Sequence, residues 1–203
     1  MNKAKNIFTE IQSHLLEDNK PSLYLEELSR GELIGSYPLV MLKDLQKTEQ
    51  SPKHHPEGNV WNHTMLVIDQ AAIVKEQSSE PGVFMWAALL HDIGKPGTTK
   101  LRKGRITSYD HDIAGAGLAV KFLKEFTDND IFIGKVAELV RWHMQILFVV
   151  NNLPFADVRK MKSRTDVKEV ALLGFCDRMG RLGANQAEEA GNIEKFLRKV
   201  ADR

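Results

Sequence analysis

One cysteine, Cys176, stands in 203 residues. A lone thiol can form neither an internal disulfide nor the thiolate cluster of a structural zinc site. An excess of one charge is also missing, since 28 Lys and Arg face 27 Asp and Glu for a net +1. That balance exerts no global pull toward nucleic acid or a membrane surface, so any contact with a polyanion must be local. No apolar stretch reaches the roughly 18 residues of a membrane span. No N-terminal segment joins a basic start to an apolar leader core, so a cytoplasmic location is expected. Repeats, low-complexity tracts and evident linkers are lacking too. The length suits one core, and the expectation is a single domain over 1–203, with N-terminal helices in about 1–50 packed on a core over about 55–182.

What the chain does have is helical periodicity almost throughout. Apolar residues recur at spacings of three and four over 5–18, 22–31, 39–48, 60–77, 82–93, 111–126, 130–145, 155–163, 166–180 and 186–200. Pro21, Pro38, Pro81 and Pro154 fall near proposed starts, and Asp110, Asn129 and Thr165 are candidate N-caps. The expected class is all-α, a helical bundle. Strand character is confined to "TTKLRKGRITSY" (98–109), where Lys103-Gly104 can turn a short hairpin; the segment is read as a loop beside the functional site.

Polar residues interrupt the apolar stripes in a consistent way. His91 continues the face of Phe84 and Ala88, and Asp92 follows it directly. His63 lines up with Val67 and Val74, and His111 with Gly115, Leu118 and Phe122. His143 lines up with Val136, Leu139 and Val140, and Asp177 with Val170, Leu173 and Gly174. Four histidines and two aspartates are thus aimed inward from five helices. One buried histidine is ordinary, but a buried unpaired carboxylate costs several kcal/mol and the pattern carries two. Positive charge must sit among them. Imidazole with carboxylate suits divalent zinc, manganese, iron, nickel, cobalt or magnesium, and six ligands exceed one tetrahedral shell, which points to two ions or to one octahedral ion with histidines close by.

The order His63, His91-Asp92, Asp177 resembles the signature of the HD superfamily of metal-dependent phosphohydrolases, with "HDIGK" (91–95) among its common forms. His111 and His143 resemble the additions of members that hold a second metal. The segments "HHPEGNVWNHTM", "HDIAGAG", "RWHMQI" and "CDRMGR" look like blocks of the HD domain of bacterial tRNA nucleotidyltransferases, the CCA-adding enzymes, in the same order over about 21–190. One departure matters: the Gly-Ser opening of "GSYPLVMLKDLQ" (35–46) is followed by Asp44 but by Gln46 where a second carboxylate is needed. A lone carboxylate does not hold the two magnesium ions of nucleotidyl transfer, so the expectation is the hydrolase part alone. The Gly-Tyr-Pro motif of the cyclic-diguanylate branch is also missing.

The resemblance implies that His63, His91, Asp92 and Asp177 ligate one ion and that His111, His143 and Asp92 ligate another, with Asp92 bridging. A metal-activated water would then attack phosphorus in a phosphate mono- or diester. A nucleotide is the expected substrate, of the 2′,3′-cyclic phosphate or 2′-nucleotide type, and an RNA 3′ end is a possible partner. Lys95 is a candidate catalytic contact to a phosphate oxygen, and Arg178 and Arg181 are candidate phosphate grips that compete with a reading as ordinary ion pairs. The alternative class is a noncatalytic nucleotide- or RNA-binding module that retains the site. His54, His55 and Glu57 read as a polar loop, His14 as a core or boundary residue, and Trp61, Trp86 and Trp142 as core. The basic stretches "KLRKGR" and "VRKMKSR" can steer a nucleotide, although such runs are usually solvated faces.

Overall fold

Helix α5, Pro81–Leu90, follows α1 (Lys3–Glu17), α2 (Pro21–Arg30), α3 (Val40–Lys43) and α4 (Val60–Val74), and it is the axis of the structure, a computed structural model that describes residues 3–202. Every residue from Val83 to Leu90 is buried, as expected of a helix apolar on all sides. Pro81 opens it from the first turn, where its missing N–H costs nothing. Helices α1 and α4 pack on it from the N-terminal part of the chain. From the C-terminal part come α8 (Asp130–Trp142) and α11 (Val167–Met179). The core includes Phe84 and Trp86, both fully buried, and Phe8 of α1 stacks on Trp86 at 4.9 Å between centroids. Truncating either buried aromatic to alanine is expected to cost about 3–5 kcal/mol.

Between α5 and α8 lie α6 (Lys95–Thr98), the antiparallel strands β1 (Lys100–Arg102) and β2 (Arg105–Thr107), and α7 (His111–Lys124), which packs along α8. The remaining helices are α9 (Gln145–Val150), α10 (Val158–Arg164) and α12 (Gln186–Ala201), with α12 against α9 and α11. The architecture is all-α apart from one hairpin.

Several boundaries differ from the periodicity, each for a local reason. Segment 98–109 is a paired hairpin rather than a loop: Lys103 and Gly104 both have positive φ, 49° and 74°, matching the twist of a two-residue turn. Expected helix 39–48 is α3 followed by a 3₁₀ turn over Asp44–Lys47. Expected helix 155–163 begins only at Val158, where the Asp157 side chain accepts from the Lys160 amide. Asp166 rather than Thr165 caps α11, Asn129 caps α8 as expected, and Asp110 sits before α7 in the left-handed region without capping it through its side chain. Helix 82–93 stops at Leu90 and helix 130–145 at Trp142, so His91 and His143 both occupy helix C-termini.

Candidate metal centre

The site forms where five segments end or begin. His63 comes from the first turns of α4, whose N-terminus is capped by the Asn59 side chain accepting from the Asn62 amide. His91 and Asp92 occupy the turn leaving α5, His111 opens α7, His143 closes α8, and Asp177 lies near the end of α11. All six are buried. The turn after Asp92 can lie against α7 only because Gly94 has no side chain: a Cβ there would stand 2.1 Å from the His111 carbonyl oxygen. Glycine therefore sets the spacing between the His-Asp pair and His111.

Three imidazoles are oriented by one device. The Nδ1–H groups of His91, His111 and His143 donate to the carbonyls of Ala88, Ser108 and Val140 at 2.8, 2.7 and 2.7 Å. Each ring thereby turns its Nε2 inward, the nitrogen that offers a lone pair when the ring is neutral. His111 Nε2 lies 3.2 Å from His143 Nε2, so two acceptors face one another with no proton assigned between them. His91 Nε2 is 3.2 Å from Asp92 Oδ2 but lacks hydrogen-bonding geometry, and it is a buried nitrogen without a partner. Asp92 divides its oxygens. Oδ1 faces His111 at 3.4 Å and His143 at 3.9 Å, while Oδ2 faces His91 and pairs with Lys95 Nζ at 2.6 Å.

His63 is held differently, between two acids. Its Nδ1 lies 2.9 Å from Glu57 Oε1 and its Nε2 3.0 Å from Asp177 Oδ1. Glu57 also engages His55 at 2.8 Å and accepts from the Leu182 amide at 3.3 Å. Two groups reach into the site from outside these elements: Gln50 Oε1 accepts from Lys95 Nζ at 2.6 Å, and Arg181 Nη2 approaches Asp177 Oδ1 at 3.7 Å. Arg178, a candidate phosphate grip, is instead paired with Glu189 of α12.

Electrostatics separate the histidines. Burial pulls the His143 pKa down to about 4, helped by the charges of His111 and His91. Burial also lowers that of His111, against the pull of Asp92. For His63 burial acts in the same direction but loses to the hydrogen bonds with Asp177 and Glu57, and its pKa is raised. Burial opposes charge on Asp92 and Asp177 as well. Lys95 and His91 overcome it for Asp92, and Arg181 and His63 for Asp177, so both carboxyls lie well below the usual range. Glu57 falls to about 2, because its hydrogen bonds, chiefly from His63, outweigh burial.

The donor set fits a divalent ion. Three groups bring their ligand atoms within 4.8 Å of one another: His63, His91 and Asp92; Asp92, His111 and His143; and His55, Glu57 and His63. A cation would resolve the orphaned His91 nitrogen and the facing nitrogens of His111 and His143 alike. Glu57 and His55, expected in a solvated loop, are part of this cluster, whereas His54 is exposed. The missed signal was local: Glu57 lies six residues before His63, across the Gly58 turn (φ 100°) that folds it back onto α4. His14 is a boundary residue stacked on Tyr24, and Trp61, Trp86 and Trp142 are core.

A family described as HD domain matches residues 60–203. The chain is 29% identical over 194 residues to a Multifunctional CCA protein of Pasteurella multocida, a match covering 91% of this chain and 45% of the relative. Proteins of the same name from Actinobacillus pleuropneumoniae and Haemophilus ducreyi match at 37% over 98 residues and 41% over 93. Those alignments cover 48% and 45% of this chain but only 23% and 22% of the relatives. The matches thus span less than half of each relative's own length.

Proposed function

Because the chain belongs to the HD-domain family, a superfamily of metal-dependent phosphohydrolases, we propose that it hydrolyses a phosphate mono- or diester, with a nucleotide as substrate. The observation carrying this reading is the pair of inward Nε2 atoms, 3.2 Å apart, on rings whose Nδ1 protons are already committed to backbone carbonyls. Uncompensated, those lone pairs repel; between them and Asp92 Oδ1 is a place for a cation.

His63, His91 and Asp92, with Asp177 beside His63, would hold one ion, and His111, His143 and Asp92 a second. Divalent ions bound there supply Lewis acidity, making water acidic enough to serve as a nucleophile near neutral pH and offsetting charge on phosphate. The protein's residues do the rest. Ala88, Ser108 and Val140 fix the tautomers of their imidazoles, and Glu57 fixes His63. Lys95 keeps Asp92 ionised, and its ammonium is a cation that an entering phosphate oxygen can take over. Arg181, whose Nε has no partner, stands beside Asp177 as a second such group. A 2′,3′-cyclic phosphate, a 2′-nucleotide and an RNA 3′ end, the substrates that the resemblance of the sequence blocks implies, are the ones to try first.

The test is metal content by mass spectrometry, followed by hydrolysis of nucleotide and simple phosphoesters with added manganese, nickel, cobalt or magnesium. Turnover that needs metal and vanishes on chelation is expected. Metal-loaded protein that leaves every ester intact would overturn the hydrolase and leave a binding module.

A further inference from the structure

A cleft of about 540 Å³ is lined by Gly97, Thr98, Lys100, Arg102, Tyr109, Asp110 and Phe155, Asp110 being the residue before His111. That volume falls within the range of about 300–1,000 Å³ usual for small-ligand pockets. Two large aromatic side chains stand open in it, Tyr109 at 58% and Phe155 at 63% exposure. Isolated exposed aromatics need no explanation, but two lining one cleft do.

Neither wall is slack. Phe148 props Phe155, with ring centroids 5.5 Å apart. The Phe155 carbonyl accepts from Gln145 Nε2 at 3.4 Å, and Gln145 Oε1 takes the Asp157 amide at 2.9 Å, so a buried side chain two residues from His143 pins this loop. On the other side Tyr109 follows Ser108, whose carbonyl holds His111 Nδ1 and whose hydroxyl meets Thr99 Oγ1 at 2.7 Å. Both aromatic walls are thus tied to segments carrying the facing His111 and His143 rings. The Arg102 guanidinium lies 4.7 Å from the Tyr109 ring centroid, which keeps its charge at the cleft wall. Among the described residues no carboxylate forms an ion pair with Lys100, Arg102, Lys103 or Arg105. The acid at the lining is Asp110.

We infer that this cleft is a nucleobase subsite, which seats the base of a nucleotide between Tyr109 and Phe155 while its phosphate reaches the metal centre. Paired aromatic faces accept any base by stacking, the unpaired cations of the hairpin suit flanking phosphates, and Asp110 offers an acceptor for ribose hydroxyls. In taking a phosphate-bearing ligand the assignment rests on the phosphohydrolase reading. Base recognition itself does not depend on turnover. The hairpin becomes the wall that separates nucleotides from simple phosphoesters.

Ligand-observed NMR on the full chain would compare adenosine 5′-monophosphate with ribose 5-phosphate, which lacks the base, with phosphate release followed in the same samples. The nucleotide is expected to bind at least about fivefold more tightly. Phe155→Ala and Tyr109→Ala should each shrink that preference, and Phe155→Ala, whose ring holds no cation among the described residues, should leave ribose 5-phosphate affinity unchanged. If the two ligands bind alike, or both variants keep the preference, the subsite is overturned even where phosphoesters are cleaved. If metal-loaded protein also leaves the 2′,3′-cyclic phosphate, 2′-nucleotide and simple phosphoesters intact but the aromatic-dependent preference persists, the subsite stands and the hydrolase reading falls.

Discussion

The two sides of the centre use the same residue type for opposite electrostatic ends. On the His63 side an imidazole lies between the carboxylates of Glu57 and Asp177 and is already compensated, its raised pKa marking a proton held where an ion can replace it. On the His111 and His143 side the rings meet backbone carbonyls, one Asp92 oxygen, each other and, for His143, the His91 ring at 5.4 Å, and burial drives the His143 pKa down to about 4. Burial lowers the basicity of both kinds of imidazole, and on the His63 side the hydrogen bonds to Asp177 and Glu57 outweigh it, whereas a backbone carbonyl orients its ring and fixes the tautomer. One side is balanced by its own acids, and the other brings together nitrogens that could hold a cation.

Asp92 serves both sides, so Asp92→Asn should have the largest effect. Turnover in the phosphoester assay is expected to fall at least about a hundredfold, with metal occupancy falling too. Full activity in that variant would remove the bridging role. Next in size, His143→Ala should take bound metal from two ions toward one, read by mass spectrometry after equilibrium dialysis, whereas His63→Ala should weaken the other ion. Equal loss of both ions in both variants would erase the distinction between the sides.

Much of this centre was legible in the sequence. His63, His91, Asp92, His111, His143 and Asp177 interrupt apolar stripes at helical spacing, and burial on five segments follows from that pattern. Less legible was how each is presented. His91 and His143 lie at helix C-termini, where the last-turn carbonyls of Ala88 and Val140 are free to accept from their rings; periodicity ran both helices past that point. Gln50 is in no regular element, and its contact with Lys95, 45 residues away, exists only in three dimensions. Glu57 stands with His54 and His55 in a polar loop around Pro56, a setting that explains such residues without a site. The Lys103-Gly104 turn was visible, but pairing of the flanking strands was not, because Lys100, Leu101, Arg102 and Arg105 are all exposed and show no alternation.

Smaller effects sharpen the contrast. Glu57→Gln keeps the volume but removes the charge behind His63, so metal affinity on that side is expected to drop about tenfold to a hundredfold, with the His111 side unaffected in the same titration. The smallest effect is pH-dependent and belongs to metal-free protein. The folded pKa of His143 lies near 4, below its ordinary 6.5, so its contribution to stability is full above pH 6.5 and is lost as pH falls toward 4. The folded pKa of His63 is raised, so its contribution is present below 6.5 and lost as pH climbs through the folded value. Melting curves of His143→Gln and His63→Gln against the parent should therefore differ in opposite directions of pH. Parallel curves would mean that both rings titrate alike.

The most direct measurement is anomalous scattering from a crystal soaked in manganese. A peak within about 2.3 Å of both His111 Nε2 and His143 Nε2, shared with Asp92, is the predicted result. Fully occupied manganese elsewhere with this position empty, or no bound ion at all, would contradict the claim that a cation joins these two rings.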